Sequence, residues 1–353
     1  MTGPVTAFGP GRVNLIGEHT DYNGGRALPF AIDRGVTVRA APLDGDAIEA
    51  IAHDVGEEDR FALAHPDPGA AQGGWRAFVR GAAAELAAAG HELRPARLEI
   101  TGDVPRGSGL SSSAALEVAL CLALLGPDRQ PAGDAERIDL ARLCSRVEND
   151  HVGAQTGLLD QLASLLGRDG CALRIDFAAL QTEHVPLRLG DGWRLVTLDS
   201  GETHSHAAGG YNERRRECAE VCERLGVEHV SAARPEDLRR LPEPLSRRAR
   251  HVLEENARVD AAVDALRDDD LPAVGRLLDA SHASLRDLYD ASTEAVEATV
   301  RRLREAGAAG ARMVGGGFGG HVLALMPPGA ELPPGATVVE PGPGGSLLAA
   351  AAA

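Results

Sequence analysis

Gly107-Ser108-Gly109-Leu110-Ser111-Ser112-Ser113-Ala114-Ala115 leads without a break into an apolar segment that is typical of a helix. Glycine lets the backbone fold closely around a ligand, and serine is favoured where a helix begins because its hydroxyl accepts from free backbone N–H groups. A helix N-terminus also carries a partial positive charge that favours anions. The stretch therefore has the composition of a phosphate-binding loop, although an ordinary loop that caps a buried helix would have the same residues.

The segments around this stretch favour the phosphate interpretation. A strand predicted at residues 97–101 precedes the loop and a helix follows it, an order typical of phosphate-binding loops. Hydrophobic patterns predict further strands at 5–8, 36–41, 195–198 and 321–326, and helices at 78–89, 135–150, 212–225, 247–267, 271–281 and 292–306. The turn-rich residues 176–192 are expected to join two domains, and the tail beyond residue 341 is expected to be partly disordered.

Charge and composition exclude several classes of protein. The chain has 353 residues, enough for two domains, and a net charge of −16 that argues against nucleic-acid binding. It contains no lysine, on which both Walker A loops and protein kinases depend. No apolar run is long enough for a membrane span, and the five cysteines form no CxxC pair. We therefore expect a cytoplasmic protein that binds neither nucleic acid nor membrane.

A second polar stretch follows the first predicted strand: Gly11-Arg12-Val13-Asn14-Leu15-Ile16-Gly17-Glu18-His19-Thr20-Asp21-Tyr22-Asn23. Its two carboxylates accept hydrogen bonds and its histidine can donate or accept, a set that suits the hydroxyls of a sugar. A solvated loop would contain the same residue types. Farther along, Asp160 lies in the first turn of an apolar helix and Glu148 near the end of another, where a helix dipole or solvent alone would accommodate them.

A glycine-rich stretch near the C-terminus imitates a dinucleotide-binding motif. Gly315, Gly317 and Gly320 have the G-x-G-x-x-G spacing, and Glu340 follows about 20 residues later. That motif must follow a strand and open a helix, whereas this one follows a predicted helix and opens a predicted strand. We therefore predict a glycine-rich turn that lets backbone approach a ligand or the partner domain, and no NAD site.

Three separated stretches resemble one family of enzymes. Residues 11–23 resemble the signature of galactokinases, residues 107–114 the ATP loop of the small-molecule kinase superfamily that includes homoserine and mevalonate kinases, and residues 315–320 the third motif of that superfamily. Residues 157–161 and 211–218 also resemble galactokinase segments. The resemblance covers about residues 8–326, and the Glu-His-Thr-Asp stretch is the part specific to galactokinases.

The resemblance implies an α+β fold with two domains. Residues 1–185 would form an N-terminal domain resembling a ribosomal-protein domain, residues 186–340 a C-terminal ferredoxin-like domain, and residues 341–353 a tail, with the active site in the cleft between the domains. The implied reaction transfers the γ-phosphate of MgATP to the C1 hydroxyl of α-D-galactose, the first committed step of galactose catabolism by the Leloir pathway. Galactose and ATP would be the substrates and Mg²⁺ the cofactor. The oligomeric state stays open, and a monomer is compatible with the sequence.

The resemblance also implies a role for each matching residue. Asp160 would be the catalytic base, and Arg12 would keep Asp160 ionised and steady the transferred phosphoryl group. Ser113 and Glu148 would hold Mg²⁺, which prefers few protein ligands. The implied ATP-loop residues are Gly107, Ser108, Gly109, Leu110, Ser111, Ser112 and Ser113. The implied sugar contacts are Glu18, His19, Thr20, Asp21, Gly157 and Tyr211.

Two alternatives remain at this level. The same chemistry on another sugar, such as N-acetylgalactosamine or L-arabinose, depends on cavity walls that the sequence does not reveal. The other alternative is a non-catalytic galactose sensor built on the same fold. Such sensors resemble galactokinases but lack residues in the serine loop, whereas Ser113-Ala114, Asp160 and Arg12 are all present here.

Overall fold

The computed structural model describes residues 3–71, 73–104, 109–154, 156–190, 192–202 and 207–349. The strands in these ranges are β1 (Val5–Asn14), β2 (Arg26–Ala27), β3 (Pro29–Pro42), β4 (Ala47–Ala52), β5 (Glu57–Ala62), β6 (Ala96–Gly102), β7 (Cys171–Asp176), β8 (Gln181–Pro186), β9 (Arg194–Asp199), β10 (Gly310–Met313), β11 (His321–Met326), β12 (Thr337–Val339) and β13 (Ser346–Leu348). The α-helices are α1 (Gly74–Ala88), α2 (Ser112–Leu125), α3 (Asp134–Arg146), α4 (Leu159–Leu166), α5 (Ala207–Leu225), α6 (Leu245–Arg267), α7 (Leu271–Asp287) and α8 (Glu294–Glu305). A π-helical turn, Val147–Val152, continues α3.

Two large sheets organise these elements. The first has six strands in the order β13-β1-β3-β6-β4-β5, in which β4 and β6 run parallel and the other pairs antiparallel. The second has four antiparallel strands in the order β10-β11-β9-β12, and a small third sheet joins β2, β7 and β8. Helices α1 to α4 share an apolar core with the first sheet, whereas α7 and α8 pack on the second. The expected α+β architecture with two units is confirmed; the division at residues 185 and 186 stays a prediction.

Helix α2 is the buried centre of the first unit. Its side chains are apolar on nearly every side, apart from Glu117, and such a helix can only be stable when protein surrounds it. β1 crosses α2 at Gly9, where a Cβ would lie 2.1 Å from the carbonyl oxygen of Ala115. This close approach brings the end of β1 beside the start of α2, and the backbone N–H of Arg12 donates to the carbonyl of Leu110 at 3.1 Å. None of the helices in the described ranges has both the length and the apolar character that a bilayer span needs.

A second apolar core joins the two units. Val13 and Leu15 at the end of β1 pack in one cluster with Val259 and Val263 of α6 and with Leu323 of β11. Burial of apolar surface is the dominant favourable contribution to folding. The loop that follows β1 contains residues predicted to bind sugar. It is therefore anchored by residues from both halves of the chain.

One local prediction is wrong and a second is incomplete. β10 precedes the glycine-rich turn, so the turn joins two antiparallel strands and not a helix and a strand. Residues 176–192 do more than connect domains, because β8 lies among them and pairs with β7. The exposed side chains of β8 are polar, which gives the segment the composition of a loop.

The predicted disorder of the tail is also wrong as far as residue 349. Gly342 N–H donates to the carbonyl of Ala31 and Gly344 N–H to that of Gly167, each at 2.8 Å. β13 then pairs with β1 and forms an edge of the first sheet. These partners come from opposite ends of the chain, so no local sequence pattern could have indicated the pairing.

Candidate active site

A cavity of about 330 Å³ opens where the first unit meets the glycine-rich turn of the second. Its walls come from four segments: the end of β1 with the loop that follows it, the start of α4 with the residues before it, the start of α5, and the turn between β10 and β11. The lining residues are Arg12, Glu18, His19, Asp21, Gly153, Ala154, Thr156, Gly157, Leu159, Asp160, Tyr211, Asn212, Gly315, Gly316 and Gly317. Every residue predicted to act in catalysis or to contact sugar is among them except Thr20.

Thr20 lies beneath the cavity and does not face it. Its side chain is fully buried, and its hydroxyl lies within hydrogen-bond distance of the carbonyls of Gly17 at 2.8 Å and Arg26 at 2.7 Å. The residue therefore holds the loop in shape. We withdraw Thr20 as a sugar contact, because motif membership alone could not separate a loop-forming residue from a ligand-binding one.

Arg12 and Asp160 form an ion pair inside the cavity. Arg12 Nε donates to Asp160 Oδ1 at 2.7 Å, and Arg12 Nη2 lies 2.6 Å from the same oxygen. Arg12 Nη1 donates to the carbonyl of Gly109, and the hydroxyl of Ser111 donates to Asp160 Oδ2. The Arg12 side chain is 8% exposed and the Asp160 side chain 22% exposed. One carboxylate is thus held by a cation and a hydroxyl while it stays open to the cavity.

Ser111 has an unusual backbone conformation at the start of α2. Its φ is +58°, a left-handed value that non-glycine residues adopt rarely and that often marks functional sites. Its hydroxyl does not cap the helix, contrary to the expectation for a serine at this position, and reaches Asp160 instead. A phosphate at the start of α2 would therefore not have to displace the Ser111 hydroxyl from the helix N–H groups.

The two predicted metal ligands lie close together. Glu148, in the π-helical turn after α3, is almost fully buried, and its Oε2 accepts from Thr156 Oγ1 at 2.8 Å and from Gln161 Nε2 at 2.9 Å. Burial and the nearby charge of Asp160 raise the pKa of Glu148, while hydrogen bonds from Thr156, Ser113 and Gln161 act in the opposite direction. Among the described residues, no three His, Cys, Asp or Glu side chains converge as a ready-made metal site. A hydroxyl with one carboxylate fits a metal that takes its other ligands from phosphate and water.

Behind Glu148 lies a carboxyl group that sequence reasoning did not assign to the site. Gln161 Nε2 donates to Glu117 Oε2 at 3.0 Å as well as to Glu148. Glu117 is fully buried in α2, and burial followed by the charge of Glu148 raises its pKa well above the usual range. The available signal was a single glutamate within an otherwise apolar helix.

His19 is held from both sides of its ring. Its Nε2 lies 3.2 Å from the carbonyl of Gly316, which can only accept, so Nε2 carries the proton and Nδ1 accepts from the hydroxyl of Tyr22 at 2.7 Å. Tyr22 in turn lies 3.1 Å from the hydroxyl of Tyr289. Burial lowers the pKa of His19 to about 3, so the ring is neutral at pH 7. With both nitrogens engaged, His19 can meet a sugar only with its C–H edge or its face.

Asp21 depends on a glycine across the cavity. A Cβ on Gly157 would lie 1.7 Å from Asp21 Oδ2, so only glycine leaves room for this carboxylate. Burial is the main reason that the pKa of Asp21 is raised to about 6; a backbone hydrogen bond from Tyr22 lowers it, and the charges of Asp160 and Glu18 raise it further. Three carboxylates, those of Glu18, Asp21 and Asp160, therefore line the cavity.

Glu18 is fixed by the second unit. Its Oε1 accepts from the backbone N–H of Gly315 at 2.8 Å and lies 2.9 Å from Nη2 of Arg312 in β10. Sequence reasoning found the glycine-rich turn and its approach to the partner domain, but it missed Arg312. Nothing distinguishes this arginine from the others until β10 and the end of β1 are brought together in space.

A second cavity, of about 240 Å³, lies beside the start of α2. Trp75 and Phe78 of α1 and apolar side chains of β3 and β6 line it, together with Ser112 and Ser113. Of the predicted ATP loop, Gly107 and Ser108 lie outside the described residues. Ser112 and Ser113 line this second cavity, whereas the Gly109 carbonyl accepts from Arg12 and the Ser111 hydroxyl donates to Asp160. An aromatic cavity next to a helix N-terminus suits a planar base attached to phosphates.

Comparison with known proteins agrees with this arrangement. Three family models match the chain: the galactokinase galactose-binding signature at residues 2–42, the N-terminal domain of GHMP kinases at 77–168 and the C-terminal domain of GHMP kinases at 262–332. The chain is 39% identical over 322 residues to the galactokinase of Thermotoga petrophila, which covers 91% of this chain and 89% of that protein. It is 45% identical over 330 residues to the galactokinase of Mycobacterium tuberculosis, covering 92% and 89%.

Solved structures give the same answer. The structure superposes on Lactococcus lactis galactokinase complexed with galactose with a TM-score of 0.88 and 31% identity, over 98% of this chain and 95% of that one. The mevalonate kinase of Methanococcus jannaschii shares the fold, with a TM-score of 0.65 and 19% identity over 92% and 90% of the two chains. With identities of 39 to 45% over nine-tenths of its length, the chain belongs to the galactokinase family, whose members are ATP-dependent sugar kinases built from GHMP kinase domains.

Proposed function

We propose that this chain transfers the γ-phosphate of ATP to the C1 hydroxyl of α-D-galactose, giving galactose 1-phosphate and ADP. The observation that carries the proposal is the Arg12–Asp160 ion pair. It lies in one cavity with side chains that can hydrogen-bond sugar hydroxyls: Glu18, Asp21 and Tyr211. The galactose-binding signature at residues 2–42 and the likeness to a galactose-complexed galactokinase support this choice of sugar.

Sugar binding rests on carboxylates that accept from hydroxyl groups. Glu18 and Asp21 serve as acceptors, Tyr211 contributes a hydroxyl and an aromatic face, and Gly157 keeps the space for Asp21 open. His19 contributes its ring face or edge, because both of its nitrogens are already bonded. These contacts fix the sugar with C1 toward Asp160.

Phosphoryl transfer then needs a base and a stabilised phosphoryl group. Asp160 takes the proton of the C1 hydroxyl, the freed oxygen attacks the γ-phosphorus, and the bond from that phosphorus to the β–γ bridging oxygen breaks with release of ADP. Arg12 holds the carboxylate in place and stabilises the charge of the moving group. The start of α2 receives the phosphates, and the cavity beside Trp75 and Phe78 receives the adenine.

Ser113 and Glu148 would hold Mg²⁺. A hydroxyl and one buried carboxylate match the small protein ligand set that this ion uses when phosphates and waters complete its shell. When bound, the ion neutralises phosphate charge. Thr156 and Gln161 keep the Glu148 carboxylate oriented for that role.

The first experiment measures ADP release with MgATP against galactose, glucose, N-acetylgalactosamine, L-arabinose, mevalonate and homoserine. We expect galactose to be turned over clearly faster than the others. A different preferred sugar would keep the Asp160 chemistry and contradict the proposed substrate. Galactose binding without any ADP release would contradict the enzyme assignment and favour the sensor alternative.

A further inference from the structure

Arg312 is buried completely between the two units, and it is among the largest fully buried side chains of the described chain. Its Nη1 donates to the carbonyl of Asn14, the last residue of β1, at 2.7 Å and to that of the next residue, Leu15, at 2.9 Å. Its Nη2 lies 2.9 Å from Glu18 Oε1. One guanidinium from β10 therefore binds the backbone that leads into the loop after β1, and it also contacts a carboxylate that lines the cavity.

Stability alone is a poor explanation for this arrangement. Burying an ion pair costs several kcal/mol per ion in desolvation, and well-packed apolar residues often stabilise a protein as much or more. A planar guanidinium is, however, the side chain that can join two carbonyls and a carboxylate in one fixed geometry. Glu18 receives a second contact on the same oxygen from Gly315 N–H, while its Oε2 makes no hydrogen bond within the described part of the chain.

The geometry points to Arg312 as a positioning residue for the sugar, acting through Glu18. It holds Oε1 against the second unit and so aims Oε2 at a hydroxyl of the bound hexose. The inference rests on the proposed function, since it assumes that the ligand of Glu18 is the sugar. Arg312 itself touches neither cavity nor substrate, so its effect must appear in sugar binding and not in ATP binding.

The test compares two buried arginines. Arg312→Met removes the contact to Glu18. Arg248→Met is the matched control, because Arg248 is also buried, pairs with Glu217 at 2.7 Å and Asp290 at 2.8 Å, and donates to the carbonyl of Leu288, none of which lines the cavity. For both variants and the wild type, KM for galactose, KM for ATP, galactose affinity by calorimetry and thermal unfolding are measured.

We expect Arg312→Met to raise the KM and the Kd for galactose about ten- to a hundredfold, the range for leaving a buried charged group unpaired, with KM for ATP within about twofold. Arg248→Met should lower thermal stability and leave both KM values near those of the wild type. Equal changes in the two variants, or an unchanged galactose KM in Arg312→Met, would overturn the inference. A wild type that binds galactose without turnover would contradict the proposed function alone, because the Kd comparison still tests Arg312.

Three further variants keep the test decisive if Arg312→Met does not fold. Arg312→Lys retains the charge but cannot bridge the carbonyls and the carboxylate together, so it should recover folding and only part of the galactose affinity. Glu18→Gln and the double variant that combines it with Arg312→Lys complete a double-mutant cycle. If Arg312 acts through Glu18, the lysine substitution adds little to the galactose Kd once Glu18 is changed. Fully additive effects would show that Arg312 acts by another route.

Discussion

The cavity around Arg12 and Asp160, which we propose binds the sugar and call the sugar cavity, is built differently from the cavity beside Trp75. The sugar cavity contains carboxylates, a histidine and a tyrosine, and its walls come from four segments of both units. The cavity beside Trp75 is mainly apolar, and its walls come from β3, β4, β6, α1 and α2 with the segments next to them, all in the first unit. The polar cavity thus depends on how the units meet, whereas the apolar one depends on the first unit alone.

This difference has a consequence for mutations. In the sugar cavity, two carboxylates are fixed by partners that lie far away in the sequence, Glu18 by Gly315 and Asp160 by Arg12. Substitutions in that cavity should alter the rate of phosphoryl transfer or the affinity for sugar. Changes in the apolar cavity should alter ATP affinity and leave the sugar side unaffected. Four predictions test this separation, beginning with the largest effect.

Asp160→Asn should abolish most turnover. Asparagine keeps the shape and can still accept from Arg12, but it cannot take the sugar proton, and loss of a positioned base costs about 10²–10⁴-fold in rate. Galactose affinity should stay within a few-fold of the wild type. Single-turnover ADP release together with calorimetric galactose binding measures both quantities; retained turnover would remove Asp160 as the base.

Glu148→Gln should raise the Mg²⁺ concentration needed for half-maximal rate by about tenfold or more, because the amide replaces the one carboxylate of the proposed ligand pair and carries no charge to bind the cation. Glu117→Gln is the matched control, because Glu117 shares Gln161 with Glu148 and is fully buried. The control should leave the Mg²⁺ titration close to the wild type. Identical titrations for Glu148→Gln and the wild type would exclude Glu148 as a ligand.

Trp75→Ala should weaken the binding of ATP and leave the binding of galactose unchanged. Loss of one aromatic–base stacking contact costs about 1–3 kcal/mol, so KM for ATP should rise about tenfold while KM for galactose stays constant. Trp193→Ala is the control, because the other tryptophan of the chain packs against the core between the units and lines neither cavity. Parallel rises in both KM values for Trp75→Ala would break the proposed separation of the two cavities.

The sequence was sufficient for the parts that local patterns encode. α2 follows from an apolar run behind a serine loop, and the residues of the sugar cavity follow from the resemblance of residues 11–23, 157–161 and 211–218 to galactokinase segments. β13 could not be found in this way, because its strand character arises only from pairing with β1. The pairing of β8 with β7 could not be predicted either, because the exposed side chains of β8 are polar and resemble those of a loop.

The residues that hold the site in place were equally hidden. Arg312 and Glu117 contact their partners only after distant elements meet, so their roles depend on tertiary structure and not on spacing. Thr20 is the opposite case, since it belongs to the motif but supports the loop. Motifs therefore predicted which segments meet at the cavity, while tertiary contacts were needed to separate the residues that line it from those that support it.

The smallest predicted effect is a pH dependence that belongs to the sugar cavity alone. The pKa of Asp21 is raised to about 6, mainly by burial, so this carboxyl is ionised above that pH and protonated below it. As a protonated group it no longer accepts from a sugar hydroxyl through both oxygens, and kcat/KM for galactose should fall about fourfold between about pH 7.5 and about pH 5.5. Asp21→Asn should bind galactose more weakly, and its pH profile should lack the acidic limb, that is, the fall in kcat/KM toward about pH 5.5. An unchanged limb in Asp21→Asn would assign the titration to another group, and a matching change in KM for ATP would show that the two cavities are coupled.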